Sequence, residues 1–233
     1  MKKAGLLKKI IILVLVLVVP GFLYYLLATE GKNRYKSLPI FGLKQVAKTF
    51  HEVKGKKIPD TIYHKLPDFT LTDQNGKQVS LKTFGGEIVI FNFFYKHCPG
   101  VCSMMNVNVS RLDSIYAKNN TVYFASITVD PGRDTQAVLK NYAGSFKNAT
   151  VKRLFLTGDT SSIYNLARNG FLVNALQTGK DDFIYSDKLI LIDSEKRIRG
   201  YYTGASTDGV GKLDDEIKVL IAEELLKNET PLY

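Results

Sequence analysis

Cysteine is scarce in this chain, proline is sparse and tryptophan is absent: 233 residues carry two Cys, seven Pro and no Trp. Two thiols cannot staple a disulfide scaffold, and seven prolines beside 18 glycines exclude a collagen-like repeat. A hydrophobic fraction of 45% excludes a wholly disordered chain. No internal repeat and no low-complexity tract is present, and the length suits one domain with accessory segments. Acidic charge is in deficit, with a net charge of +10, but the deficit is local. Residues 1–59 hold 12 basic side chains against Glu30 and Glu52, whereas residues 60–233 hold 20 of each sign. The body therefore has no net charge and no requirement for the clustered basic face of a nucleic-acid protein.

The basic segment has its own organisation. Residues 1–9 form a basic leader with Lys2, Lys3, Lys8 and Lys9. Residues 10–28 follow without a charge, long enough at about 1.5 Å per residue to cross a hydrocarbon core of about 30 Å. Tyr24 and Tyr25 lie toward the far end, where amphipathic rings suit an interface. The stretch after Tyr25 shows no small-x-small cleavage pattern and no Cys for lipid attachment. An uncleaved, single-pass anchor in the inner (cytoplasmic) membrane is expected, with the rest of the chain on the extracytoplasmic, periplasmic side. Residues 29–59 are expected to form a basic, mostly irregular tether near an anionic surface.

From residue 60 the pattern becomes that of a folded domain reaching 233. Asp68–Thr72 and Gln78–Leu81 alternate around Asn75-Gly76, a hairpin signal. Glu87–Tyr95 is a nearly continuous apolar run, the mark of a strand buried on both faces, and Val122–Val129 is a second. Val101, Met105, Val109, Leu112 and Tyr116 recur at helical spacing between them. Helices are expected from about Asp134 to Phe146, from Asp159 to Asn169 and from Thr207 to Lys227, with strands over Val151–Leu156, Tyr185–Asp193 and Ile198–Tyr202. Strands that alternate with helices and close on a hairpin predict an α/β domain with a mixed sheet flanked by helices. Preceded by the N-terminal hairpin and the transmembrane helix, this is the outline of a thioredoxin-like fold.

Both thiols lie where such a fold puts its chemistry, at the turn between the first central strand and the first long helix. They read Tyr95-Lys-His-Cys98-Pro-Gly-Val-Cys102-Ser-Met-Met. Pro99 suits a first helical position, which puts Cys98 at the helix N-terminus, where the dipole favours thiolate, and Cys102 one turn further in. The spacing aims both sulfurs at one patch. A redox-active disulfide and a soft site for Cu(I) are both open to such a pair, as is the plainer role of two buried small hydrophobes.

The run KHCPGVCSMM after FNFFY resembles the CPxxC element of the Sco/SenC family of thioredoxin-fold, copper-handling assembly factors. Val129–Thr135 resembles the family's VDPxxDT segment, Leu156-Thr-Gly158 its LTG, and Phe183–Asp193 the strand after its third copper ligand. The resemblance covers residues 60–228. It implies copper binding, as Cu(I) in preference to Cu(II), by Cys98 and Cys102. It also implies a partner in the copper-bearing subunit of cytochrome c oxidase, or another extracytoplasmic cuproprotein. Two positions depart from the family pattern. Ser103 stands where Pro usually follows the second Cys, and Tyr185 falls on the position of the third ligand, a His in the family. His97 is then the first substitute to consider for that ligand. Met104 and Met105 are expected to pack in the core, and Asp130 and Asp187 to cap turns. The loss of the imidazole keeps two alternatives in view: a copper-independent thiol–disulfide reductase of a client's cysteines, and a non-catalytic signalling or scaffold protein.

Overall fold

The computed structural model describes residues 2–30, 37–53, 55–98, 100–146, 149–150, 152–179 and 182–229. The chain divides into two units, 1–37 and 38–233. The first holds one helix, α1 (Lys2–Glu30), with Pro20 inside it. Its side chains are described at Lys8 and over 12–26, and those of 12–25 are exposed. Among the described residues no helix is long and apolar enough to cross a membrane. The stretch expected to span, 10–28, extends at both ends beyond the side chains described.

The second unit is built on a seven-stranded sheet. Its strands are β3 (Leu71–Asp73), β4 (Gln78–Val79), β5 (Ile88–Phe94), β6 (Val122–Thr128), β7 (Arg153–Thr157), β10 (Lys188–Ile192) and β11 (Ile198–Thr203). Their order across the sheet is β11-β10-β5-β6-β7-β3-β4. The β5–β6 and β6–β7 pairs are parallel, whereas β10, β11, β3 and β4 add antiparallel edges. This is the mixed sheet the sequence predicts, and the Asn75-Gly76 hairpin forms with Gly76 at φ 83°.

Alternation along β5 divides the core. Val89, Phe91 and Phe93 face one side, with Phe84, Ile163, Leu166 and Phe171. Ile88, Ile90 and Phe94 face the other, against α2 (Val101–Ile115) through Met105, Val109 and Leu112. On that same side α3 (Gln136–Gly144) contributes Leu139, and α5 (Thr207–Glu229) contributes Leu213, Ile217 and Leu220. Asp159 caps α4 (Thr160–Asn165) by accepting from the Ser162 amide at 2.8 Å, as its place in the sequence predicts. A wider helical turn, Leu166–Gly170, continues α4.

Two features depart from the expectations. The stretch over 29–59 is not irregular from Lys44 onward. Its second half pairs as β1 (Lys44–Val53) with β2 (Lys56–Tyr63), an antiparallel ribbon separate from the main sheet. Ahead of it, Phe41 donates its amide to Ile198 O at 2.9 Å. The strands escape the sequence pattern because neither face of the ribbon is buried, so no apolar alternation is imposed on them. The second departure is a short pair, β8 (Ala175–Gln177) with β9 (Phe183–Tyr185), inserted before β10.

Candidate functional site

The site lies beyond the carboxyl end of β5, the edge where open α/β sheets place their chemistry. After Phe94 the chain turns at Tyr95, with the Cys98 amide donating to Tyr95 O at 3.2 Å. The turn is held from the side by Asp134. This fully buried carboxylate accepts at Oδ2 from the Lys96 amide at 3.0 Å and from Thr128 Oγ1 at 2.6 Å. Burial pushes its pKa up, against those hydrogen bonds.

Helix α2 begins at Val101, after Gly100 at φ 64°, a left-handed backbone that glycine adopts without the cost of a Cβ. The expectation that Pro99 opens the helix falls on a residue outside those described, and Cys98 precedes the first helical residue by a short turn. Cys102 sits inside the first helical turn and is 2% exposed, whereas Cys98 is half-buried. The two form a disulfide with a Cα–Cα separation of 5.8 Å. The more open sulfur is therefore that of Cys98.

Tyr185, at the end of β9, comes to the same place from the other end of the sequence. Its hydroxyl lies 2.8 Å from the Sγ of Cys98 and 2.8 Å from that of Cys102. A disulfide has no proton to give, so the phenol is the donor. The ring is set edge-on against Tyr95, with centroids 5.7 Å apart, and Tyr95 also packs on Phe183 at 4.8 Å. Burial, then the neighbouring Tyr95 and Asp187, push the Tyr185 pKa up to about 12. The phenol thus keeps its proton through the neutral range.

Other residues singled out in the sequence are placed elsewhere or do less. His97 is exposed, His51 pairs with Asp60 at 2.6 Å, and His64 Nε2 meets Gly170 O at 2.7 Å. Met105 is core, as expected, but Met104 is 57% exposed. Asp130 pairs with Arg133, and Asp187 with Lys188 at 3.0 Å. Among the described residues no group of three or more His, Cys, Asp and Glu side chains could hold a metal ion. The donors present are two sulfurs and a phenol. Once reduced, that set suits a soft, low-coordinate ion such as Cu(I) and offers little to a harder one.

Beside the disulfide a cavity of about 270 Å³ is lined by Lys96, Ser103, Asn106, Val107, Tyr142 and Phe146. Asn106 Nδ2 donates to the Tyr142 hydroxyl at 2.6 Å. Sequence reasoning passed over this wall: Tyr142 lies near the end of α3 and Phe146 just beyond it, with their rings edge-on and centroids 5.1 Å apart.

The sequence model of the SCO1/SenC family matches residues 60–220. The chain belongs to the SCO1/SenC family. It is 26% identical over 167 residues to the SCO1 protein homolog of Bacillus subtilis, covering 70% of this chain and 86% of the homolog. Among solved structures it is similar to BsSco, described as a member of the Sco family of cytochrome c oxidase assembly proteins with a disulfide switch. That match has a TM-score of 0.60 at 25% identity, over 66% of this chain and 92% of BsSco. It is also similar to ScoI of Bradyrhizobium japonicum, solved with copper bound, with a TM-score of 0.55 at 28% identity over 65% of this chain and 98% of ScoI. The mixed sheet flanked by helices is thus the thioredoxin-like architecture of the solved Sco proteins, and the family is one of copper-binding proteins linked to cytochrome c oxidase assembly.

Proposed function

We propose that this Sco protein is an extracytoplasmic assembly factor, held to the inner membrane by residues 10–28, that delivers Cu(I) to the binuclear copper centre of cytochrome c oxidase through Cys98 and Cys102. The carrying observation is that the two sulfurs lie side by side beyond the carboxyl end of β5, with Cys102 buried and Cys98 only half-buried. The disulfide must first be opened. A dithiol donor loses two electrons and two protons as it becomes a disulfide, and Cys98 and Cys102 are left as two thiols. Cu(I) then binds the thiolates and displaces their protons, so its affinity rises with pH.

One observation favours a second reading. The phenol above the sulfurs is a poor copper ligand that holds its proton to about 12, and it suits a disulfide better than a metal. On that reading the chain exchanges electrons with a client's cysteines and carries no copper. A Cu(I) competition titration separates the two. Reduced wild type is expected to hold one Cu(I) against a chromophoric chelator, and Cys98→Ser and Cys102→Ser to weaken the binding by at least about 100-fold each, more than the roughly 10–100-fold that losing an outer-shell partner costs. If reduced wild type binds no more tightly than Cys98→Ser, the copper reading falls and the thiol–disulfide reading takes its place.

A further inference from the structure

Among the described residues the β1–β2 ribbon forms a sheet of its own, and nearly all of its side chains are exposed. Lys44 through Val53 pairs with Lys56 through Tyr63, with an irregularity between Val46 and Phe50 and a tight turn at Gly55, φ 75°. Neither strand bonds to a third among the described residues. The base is tied down, with the His64 amide donating to Leu43 O at 3.0 Å and the Leu66 amide to Lys196 O at 2.9 Å. Beyond the base, apolar side chains stand in solvent: Val46, 77% exposed, and Phe50, 61%, share the face of Thr61 and Pro59, and Ile62, 54%, lies on the opposite one. A lone two-stranded ribbon is marginal in water, so one that keeps large apolar side chains in the open has something to lay them on.

Charge indicates what that is. Lys44, Lys48, Lys56 and Lys57 are all exposed on the ribbon, against Glu52 and the His51-paired Asp60. The body from residue 60 is neutral overall; of the net charge of +10, residues 1–9 carry +4 and residues 29–59, which include β1 and the start of β2, carry +6. Lys32, Arg34 and Lys36 extend the same sign back toward the apolar run that ends at Ala28. The 15 residues from 29 to 43 reach at most about 3.5 Å each, which keeps the base of the ribbon within roughly 50 Å of that run. Apolar side chains interleaved with lysines are the composition of a surface that sits in the headgroup layer of an anionic bilayer.

We infer that the β1–β2 ribbon docks on the anionic lipid surface of the membrane that holds the chain, with Phe50 and its apolar neighbours in the headgroup layer and the lysines on the phosphates. This rests on the membrane anchoring proposed above and adds a second, electrostatic contact to it.

The absence of tryptophan supplies a clean reporter. The full-length protein carrying Phe50→Trp is placed in nanodiscs of phosphatidylcholine alone, and of phosphatidylcholine with an equal part of phosphatidylglycerol. Each is made with and without brominated acyl chains. Each basic side chain at an anionic surface is worth roughly a fivefold gain in partitioning, so bromine is expected to quench the indole about threefold more in the anionic discs. The difference should vanish in about 1 M NaCl, where the Debye length falls to about 3 Å, and in a variant that adds Lys48→Glu, Lys56→Glu and Lys57→Glu. As a measurement free of the indole, amide exchange over 44–63 in the unsubstituted chain should slow in anionic discs only. If the protein enters both kinds of disc and the indole is quenched equally, or not at all, the ribbon inference is overturned while the anchor stands. A blue-shifted but unquenched indole in discs and detergent alike also overturns it, in favour of a protein partner or a second copy. If the chain enters no disc, the anchor reading and this inference fall together.

Discussion

The chemistry at residue scale turns on what Tyr185 can and cannot give. A phenol whose proton is held to about 12 is neutral at pH 7, so it donates to sulfur and does not offer an anionic oxygen to a metal. Cu(II), a borderline ion that relies on nitrogen or charged oxygen donors, should therefore bind reduced wild type weakly at neutral pH. Tyr185→His puts a neutral imidazole over the same two sulfurs. It is expected to bind Cu(II) at least about 10–100-fold more tightly at pH 7, the range that losing even an outer-shell partner of a ligand costs, with a sulfur-to-copper charge-transfer band to report it. The sign with pH follows from the raised value: deprotonation of the phenol becomes easier only as pH climbs toward 12, so the gap between wild type and variant should narrow in that direction. It should narrow again below about pH 6.5, where the imidazole of the variant takes up a proton and no longer ligates. Equal Cu(II) affinity of the two proteins at pH 7 would mean that another side chain completes the site, and exposed His97, next to Cys98, would be the residue to replace next.

At the scale of elements, the junction between β11 and α5 is set by one close approach. A Cβ on Gly209 would lie 2.5 Å from the Thr203 carbonyl oxygen and 3.1 Å from its amide, and backbone cannot swing aside as a side chain can. Gly209→Ala should thus push the first turn of α5 off the end of β11 and cost roughly 1–3 kcal/mol, the usual range for overpacking. A urea midpoint unchanged from wild type would show that the junction yields freely. The elements of the second unit were legible in the sequence wherever burial or turn chemistry imposed a pattern. The run Ile88–Phe94 is buried throughout, and Asn75-Gly76 carries its own turn chemistry. The ribbon was not legible, because exposed strands owe nothing to a core, and neither were β8 and β9, whose three residues each are too short for a period. Of the site, the paired cysteines were legible from spacing, and Tyr185 only from family resemblance. Nothing in the local sequence says that β9 ends over a disulfide 87 positions away.

At the scale of the whole second unit, one buried arginine joins the incoming chain to the body. Arg199 on β11 is 2% exposed, and its guanidinium divides its donors among four partners. Nη1 meets Asp193 Oδ2 at 3.2 Å, while Nη2 meets Glu223 Oε2 on α5 and Leu38 O, each at 2.7 Å. Nε donates to Pro39 O at 3.2 Å. Glu223 completes the clasp by accepting the Leu38 amide at 2.7 Å. Residues 38–41 are thereby fixed against the far edge of the sheet from β3 and β4, and Phe41 adds an edge-on contact with Tyr201 at 5.4 Å. Arg199→Met keeps much of the volume but strands Glu223 and two carbonyls, while Asp193 retains Arg197 at 2.8 Å. Removing one partner of a buried ion pair costs about 3–5 kcal/mol, and the surviving Arg197 contact places this change at the lower end. The loss should also be local enough to read directly. Trypsin should cut after Lys44 faster in Arg199→Met than in wild type under conditions where both are folded, because the segment before β1 has lost its clasp. Equal cleavage rates together with an unchanged urea midpoint would assign the hold on residues 38–41 to the Phe41 contacts alone.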